Sequence, residues 1–174
     1  MTTNLNIVLD LDDTLVSNIE GILQPRPYLN LFLKWCFDKF ETVSVWTAGT
    51  EEWWKICHGN FMKDFSFHKV YTRDYCEVLV TRISDEDPIV LYKPLRKIFD
   101  ESMYKENTII IDDEQLNAIE DINNHLMISK FIKNNDNELL KLIGKLEIIA
   151  VLHYDIQDIS YIDMNLDVPE YKKY

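Results

Sequence analysis

Residues Leu9–Val16 read LDLDDTLV, and this stretch decides the fold. The apolar run Ile7-Val8-Leu9 leads into it, so residues 6–12, NIVLDLD, read as a buried β-strand. Alternate residues of a strand share a face, which projects Asp10 and Asp12 together beyond the strand tip. Thr14 adds a hydroxyl two residues later. Two acids aimed at one point repel unless a cation, or chemistry that needs both, offsets the cost.

Outward from this strand, apolar runs alternate with helical periodicity. Pro25 and Pro27 precede a helix over 27–40, with Pro27 in its first turn and Leu29, Phe32, Leu33, Cys36, Phe37 and Phe40 on one face. Residues 42–47, TVSVWT, form a second strand. Thr50 then caps a helix that carries Glu51 and Glu52 in its first turn and continues through Trp53, Trp54, Ile56, Cys57 and Phe61. Residues 67–92 hold three short β-type runs, at 70–72, 78–80 and 89–92, with a turn at 84–88; they predict a small β insertion beside the main sheet. A helix is expected over 94–103, a buried strand at 108–112 (TIIID), a helix near 115–123, a short strand at 126–129 and a long helix over 136–152.

The pattern predicts an α/β fold, Rossmann-like, with a central mostly parallel sheet and helices on both faces. Residues 1–164 make one domain and 165–174 a C-terminal tail. In such sheets the ligand lies beyond the carboxyl ends of the strands. The polar residues expected there are Asp10 and Asp12, Thr47, and the pair Asp112 and Asp113. Lys93 precedes the 94–103 segment and offers the cation, with Lys97 and Lys69 as alternatives.

Composition narrows the function. A chain of 174 residues buries enough surface to fold without a metal or disulfide. Its three cysteines, Cys36, Cys57 and Cys76, form no C-x-x-C pair, and its four histidines have no ligand spacing. Both facts oppose a zinc site or a disulfide framework. A net charge of −12 opposes direct binding to a nucleic acid backbone. Only 4 glycines are present and no Gly-rich phosphate loop, which removes P-loop and dinucleotide fingerprints. With no membrane-length apolar run and no basic-apolar leader in MTTNLN, a soluble intracellular protein is expected.

The order of acid pair, hydroxyl, lysine and second acid pair resembles the haloacid dehalogenase superfamily, in its D-x-D-x-T branch of magnesium-dependent phosphotransferases. Within it, the chain resembles the carboxy-terminal-domain phosphatases (Fcp/Scp-like, NLI-interacting-factor-like). Their first motif reads D-L-D-E-T-L-V, against DLDDTLV here. Family-like segments are RPYLNLFL (26–33), VSVWTAG (43–49), VYTRDYC (70–76) and NDNELLKLIGKLE (135–147). The resemblance implies Asp10 as nucleophile, forming an aspartyl-phosphate. It implies Asp12 as general acid and then base. Thr47, the backbone N–H groups of Leu11 and Asp12, and Ala48 would hold the phosphoryl oxygens, and Lys93 would offset their charge. Mg²⁺ would be held by Asp10, the main-chain carbonyl of Asp12, and Asp113, supported by Asp112. Thr14 is expected to fix the loop. Trp53 and Trp54 read as packing residues, and Arg73 as a substrate contact or a surface ion pair.

The implied activity is removal of phosphate from phosphoserine or phosphothreonine of a protein. The alternative is a small-molecule or nucleotide phosphatase, and a non-catalytic binding module is a third reading. Three departures bear on the choice. Glu114-Gln115 stand where the family has Ser-Pro, and Lys93-Pro94-Leu95 where it has Lys-Asp-Leu. The segment between the first motif and Arg26 is short, which predicts loss of the hairpin that helps build a proline groove in relatives that read phospho-Ser-Pro tails.

Overall fold

The computed structural model describes residues 3–79 and 90–152, the side chains of 151 and 152 excepted. Its elements in chain order are β1 (Asn6–Leu9), β2 (Val16–Ile19), β3 (Ile22–Pro25), α1 (Leu29–Lys39), β4 (Thr42–Trp46), α2 (Glu51–Cys57), β5 (Val70–Tyr71), β6 (Glu77–Leu79), β7 (Val90–Tyr92), β8 (Thr108–Asp112), β9 (His125–Met127) and α3 (Glu138–Leu152).

Five strands form one parallel sheet in the order β5-β4-β1-β8-β9. Leu9 pairs with Val45 on one side and Ile111 on the other. The three central strands therefore end level, and the residues that follow them emerge at one height. The expected gathering of polar residues at the carboxyl edge follows from this register.

Side-chain alternation splits the core. Ile7, Leu9, Val43, Val45, Ile109 and Ile111 face one layer with the buried residues of all three α-helices. Val8, Trp46 and Ile110 face the other, against Leu95, Ile98, Met103 and Ala118. The α1 stripe is the one expected, with Leu29, Phe32, Leu33 and Cys36 buried. Thr50 caps α2, accepting from Trp53 N at 3.3 Å. That helix ends at Cys57 and widens into a π-type turn at His58–Met62.

Three sequence expectations are corrected. The segments 94–103 and 115–123 are not α-helices; each contains only 3₁₀ turns. Their short polar side chains compete for the backbone. Asp100 Oδ1 accepts from Ser102 N and Met103 N, Asp121 Oδ2 accepts from Leu95 N, and Asn117 is drawn toward Asp112. Next, Val70–Tyr71 is an edge strand of the main sheet, paired with Val45 and Trp46, not part of the insertion. Burial of Tyr71 beneath Trp46 seats it there. The insertion is the antiparallel pair of β6 and β7, and its turn at 84–88 lies outside the described residues, as does the tail 165–174.

The third correction concerns the short segment after the acid motif. It does form a hairpin: β2 and β3 pair from Val16↔Pro25 to Ile19↔Ile22. Glu20 (φ 54°) and Gly21 (φ 81°) make its two-residue turn, the positive-φ pair that matches strand twist. Ten residues suffice because the turn is that tight.

Candidate active site

The loop after β1 closes on itself. Leu15 N and Val16 N both donate to Leu11 O, at 2.9 and 3.0 Å. Asp13 takes the left-handed conformation at φ 58°, which a short polar residue tolerates better than most. Thr14 Oγ1 donates to Asp113 Oδ1 at 3.1 Å, tying the first acid motif to the second. Arg26, 1% exposed, supports the loop from behind. It donates to Thr14 O at 3.0 Å, Ser129 O at 2.6 Å and Asp136 at 3.0 Å, and lies over the Phe131 ring.

Three buried carboxyl groups, Asp10, Asp112 and Asp113, offer oxygens that all lie within 4.8 Å of one another. Lys93, 1% exposed, donates to Asp10 Oδ1 and, at 2.6 Å, to Asp112 Oδ2. Lys97 and Lys69 are engaged elsewhere, with Glu77 and Asp100. Burial, with the Asp112 charge next, pushes Asp10 well above the ordinary carboxylate range despite Lys93. Burial and then Asp112 raise Asp113 as well. Burial works against the Lys93 ammonium, but Asp10 and Asp112 outweigh it and hold the lysine above its usual value.

This donor set suits a hard divalent cation. Three acidic oxygens converge against one lysine, and no histidine or cysteine belongs to the cluster among the described residues. His125 Nε2 instead lies 3.0 Å from the Asp112 carbonyl oxygen. Burial, with nearby Asp12, pushes the Cys57 thiol up to about 11, and burial raises Cys36 and Cys76, which disfavours the thiolate at all three.

Asp12 stands apart from that cluster. Thr47 Oγ1 donates to its Oδ2 at 2.8 Å and itself accepts from Gly49 N at 2.8 Å. Trp53 Nε1 donates to its Oδ1 at 2.6 Å. Trp54, by contrast, packs against His58 and Phe67 as expected. Arg73 Nε donates to Ala48 O at 2.8 Å and so braces the 47–49 loop. Leu11 is fully buried and Ala48 partly exposed beside Thr47.

Two further residues join the site without an obvious mark in the sequence. Asn117 Nδ2 donates to both oxygens of Asp112, at 2.9 and 3.0 Å. Lys130, half-exposed, lies 3.6 Å from Asp113 Oδ2. Asn117 follows Asp112 by five residues, a spacing that only the 3₁₀ turn at Gln115–Ala118 brings back over the strand end.

A parallel α/β sheet with D-x-D-x-T at the tip of its first strand, and a lysine and second acid pair beside it, defines the haloacid dehalogenase class. The chain belongs to the NLI interacting factor-like phosphatase family, whose family model matches residues 5–159. It is 30% identical over 169 residues to the ubiquitin-like domain-containing CTD phosphatase 1 of Bos taurus, covering 89% of this chain and 52% of that protein. It is 31% identical over 160 residues to the ubiquitin-like domain-containing CTD phosphatase of Arabidopsis thaliana, covering 84% and 46%. The chain thus spans about half the length of these curated relatives. Among solved structures, the fold matches a point variant of the fission yeast RNA polymerase II CTD phosphatase Fcp1 bound to beryllium fluoride. That match has a TM-score of 0.52 and 14% identity, over 90% of this chain and 53% of the other. No helix among the described residues is long and apolar enough to cross a membrane.

Proposed function

We propose that the chain is a Mg²⁺-dependent phosphatase that acts on phosphoserine or phosphothreonine of a protein through an aspartyl-phosphate at Asp10. The observation that carries this reading is the division of labour between Asp10 and Asp12. Asp10 is buried with Lys93 and two further acids, whereas Asp12 is held separately by Thr47 and Trp53. That separation supports attack by one carboxyl group and proton transfer by the other.

Asp10 bonds to phosphorus as the bond to the leaving oxygen breaks, and Asp12 gives that oxygen its proton. Water then attacks phosphorus, Asp12 takes a proton from it, and the bond to Asp10 breaks. The cycle releases phosphate and restores both acids. Thr47, Ala48 and the N–H groups of Leu11 and Asp12 border the place of the phosphoryl oxygens. To hold one of them, the Thr47 hydroxyl turns its proton away from Asp12. Lys93 offsets charge on Asp10 and the phosphate. Asp10, Asp113 and the Asp12 carbonyl would hold Mg²⁺, with Asp112 in support. The ion supplies positive charge that lets a dianionic ester approach a carboxylate in an acidic protein.

A protein substrate is favoured by the curated relatives, which are named as CTD phosphatases. The β2–β3 hairpin also removes the sequence-based objection to a peptide groove. The test is turnover with Mg²⁺ of phosphoserine and phosphothreonine peptides against nucleotides and sugar phosphates. Peptides should be preferred, and Asp10→Asn should abolish hydrolysis. A preference for small esters would move the assignment to the small-molecule class. A folded protein that binds Mg²⁺ but turns over nothing would make it a binding module.

A further inference from the structure

The carboxyl group of Asp12 is gripped at both oxygens, and only one of the two donors belongs to the motif pattern. The second, Trp53 Nε1 at 2.6 Å from Oδ1, comes from the first turn of α2. Its placement is built by neighbours. Thr50 caps α2 and accepts from Trp53 N, which sets where the indole leaves the helix. Gly49 leaves the space the indole occupies: a Cβ there would lie 2.7 Å from Trp53 Cδ1 and 3.1 Å from Thr47 Oγ1. A Cβ contact of 2.7 Å is essentially never seen in proteins, so Gly49 is a shelf for the ring. Gly49 N meanwhile donates to Thr47 Oγ1, the other group that grips Asp12.

We propose that Trp53 is a positioning residue for proton transfer by Asp12, with Gly49 as the shelf that admits it. This rests on the phosphatase reading above. Once the Thr47 hydroxyl turns its proton to a phosphoryl oxygen, the Trp53 indole is the donor that stays on the Asp12 carboxyl group and keeps it in place. An indole N–H donates and cannot accept, so it orients the carboxyl group without competing for the proton that passes to the leaving oxygen. Misplacement of the acid should matter in proportion to how much the leaving group needs that proton.

Phenyl phosphate and p-nitrophenyl phosphate separate this role from others, because they share a shape and differ in leaving-group basicity. In the full chain with Mg²⁺, Trp53→Phe should lower kcat/KM for phenyl phosphate about tenfold more than for p-nitrophenyl phosphate. Gly49→Ala crowds both the indole and Thr47 Oγ1, and should lower kcat/KM on both esters with the larger loss on phenyl phosphate. Equal losses on both substrates would mean a structural role or a substrate contact and would overturn the proposal, as would no loss at all. The contact is read independently by the indole N–H proton resonance of Trp53, which should move upfield in Asp12→Ala. An unmoved resonance refutes the contact whatever the kinetics show. A wild-type protein without turnover on either ester refutes the phosphatase reading, and the catalytic purpose of Trp53 with it, while the resonance still reports whether the contact exists.

Discussion

Lys93 Nζ lies 2.6 Å from Asp112 Oδ2, with both side chains sealed from solvent. The same ammonium also reaches Asp10 across the tip of the central strand. One cation thus offsets two buried acids that would otherwise repel each other. Removing it leaves both without compensation, which costs about 3–5 kcal/mol in comparable buried pairs. Lys93→Met should therefore lower Tm by about 8–15 °C and hydrolysis by about 10²–10³-fold. Thermal melts and phosphatase assays on the same preparation check both, and Mg²⁺ should restore part of the Tm.

Asp10 and Asp113 are both raised by burial and by Asp112. An acid whose folded value is raised binds its proton more tightly when folded. Its contribution to stability is full below the unfolded carboxylate value and is lost as pH rises through the folded one. Without metal, stability from these two groups should therefore fall on going from acid toward neutral pH. Saturating Mg²⁺ should cancel that loss. Asp113→Asn should raise the Tm of the metal-free protein at pH 7 by a few degrees, about 1 kcal/mol of relieved repulsion, and should shrink the Mg²⁺-induced shift. Melts at several pH values, with and without Mg²⁺, decide it.

Glu77 titrates in the opposite sense. Hydrogen bonds from Arg96, then Tyr92, hold it down to about 2. Arg96 meets both its oxygens, at 2.8 and 2.6 Å. Its contribution is present above the ordinary glutamate value near 4.5 and is lost as pH falls from there toward 2. Glu77→Gln should flatten this acid-side loss and raise amide exchange in β6 and β7. An unchanged acid profile would show that the ion pair does not hold the β6–β7 pair together.

Arg26 joins the acid-motif loop to the segment after β9 through Thr14, Ser129 and Asp136. Arg26→Lys keeps the charge but cannot reproduce three divergent donors. It should cost about 3 kcal/mol and loosen the loop that carries Asp10 and Asp12, lowering activity along with stability. Urea unfolding gives the first quantity, and hydrogen exchange at residues 11–16 tests the second.

How much of the fold and of the site is legible in the sequence differs from residue to residue. The strand β1, which ends at Leu9 rather than residue 12, the stripe of α1 and the Thr50 cap follow from local periodicity and propensity, which the sequence carries directly. The grouping of Asp10, Asp12, Thr47, Asp112 and Asp113 also follows, because a parallel sheet sends all its carboxyl ends to one edge. Lys93 joins them by chain order alone. The segments 94–103 and 115–123 were misleading because their apolar spacing is helical, while Asp100, Asn117 and Asp121 take backbone and carboxylate partners that only the folded chain supplies. The β2–β3 turn was hidden because Glu-Gly carries a weaker hairpin signal than Asn-Gly.

The sequence by itself determined which groups gather at the sheet edge: two acids two residues apart at a strand end, with their partners at the ends of neighbouring strands. Only the tertiary structure decided which groups share each proton and charge. That Lys93 sits between Asp10 and Asp112, and that Trp53 and Thr47 take one oxygen each of Asp12, depends on the register that ends β1, β4 and β8 at one level. The indole reaches Asp12 because Gly49 leaves room for it, and the room a missing Cβ leaves exists only between residues that folding has brought together.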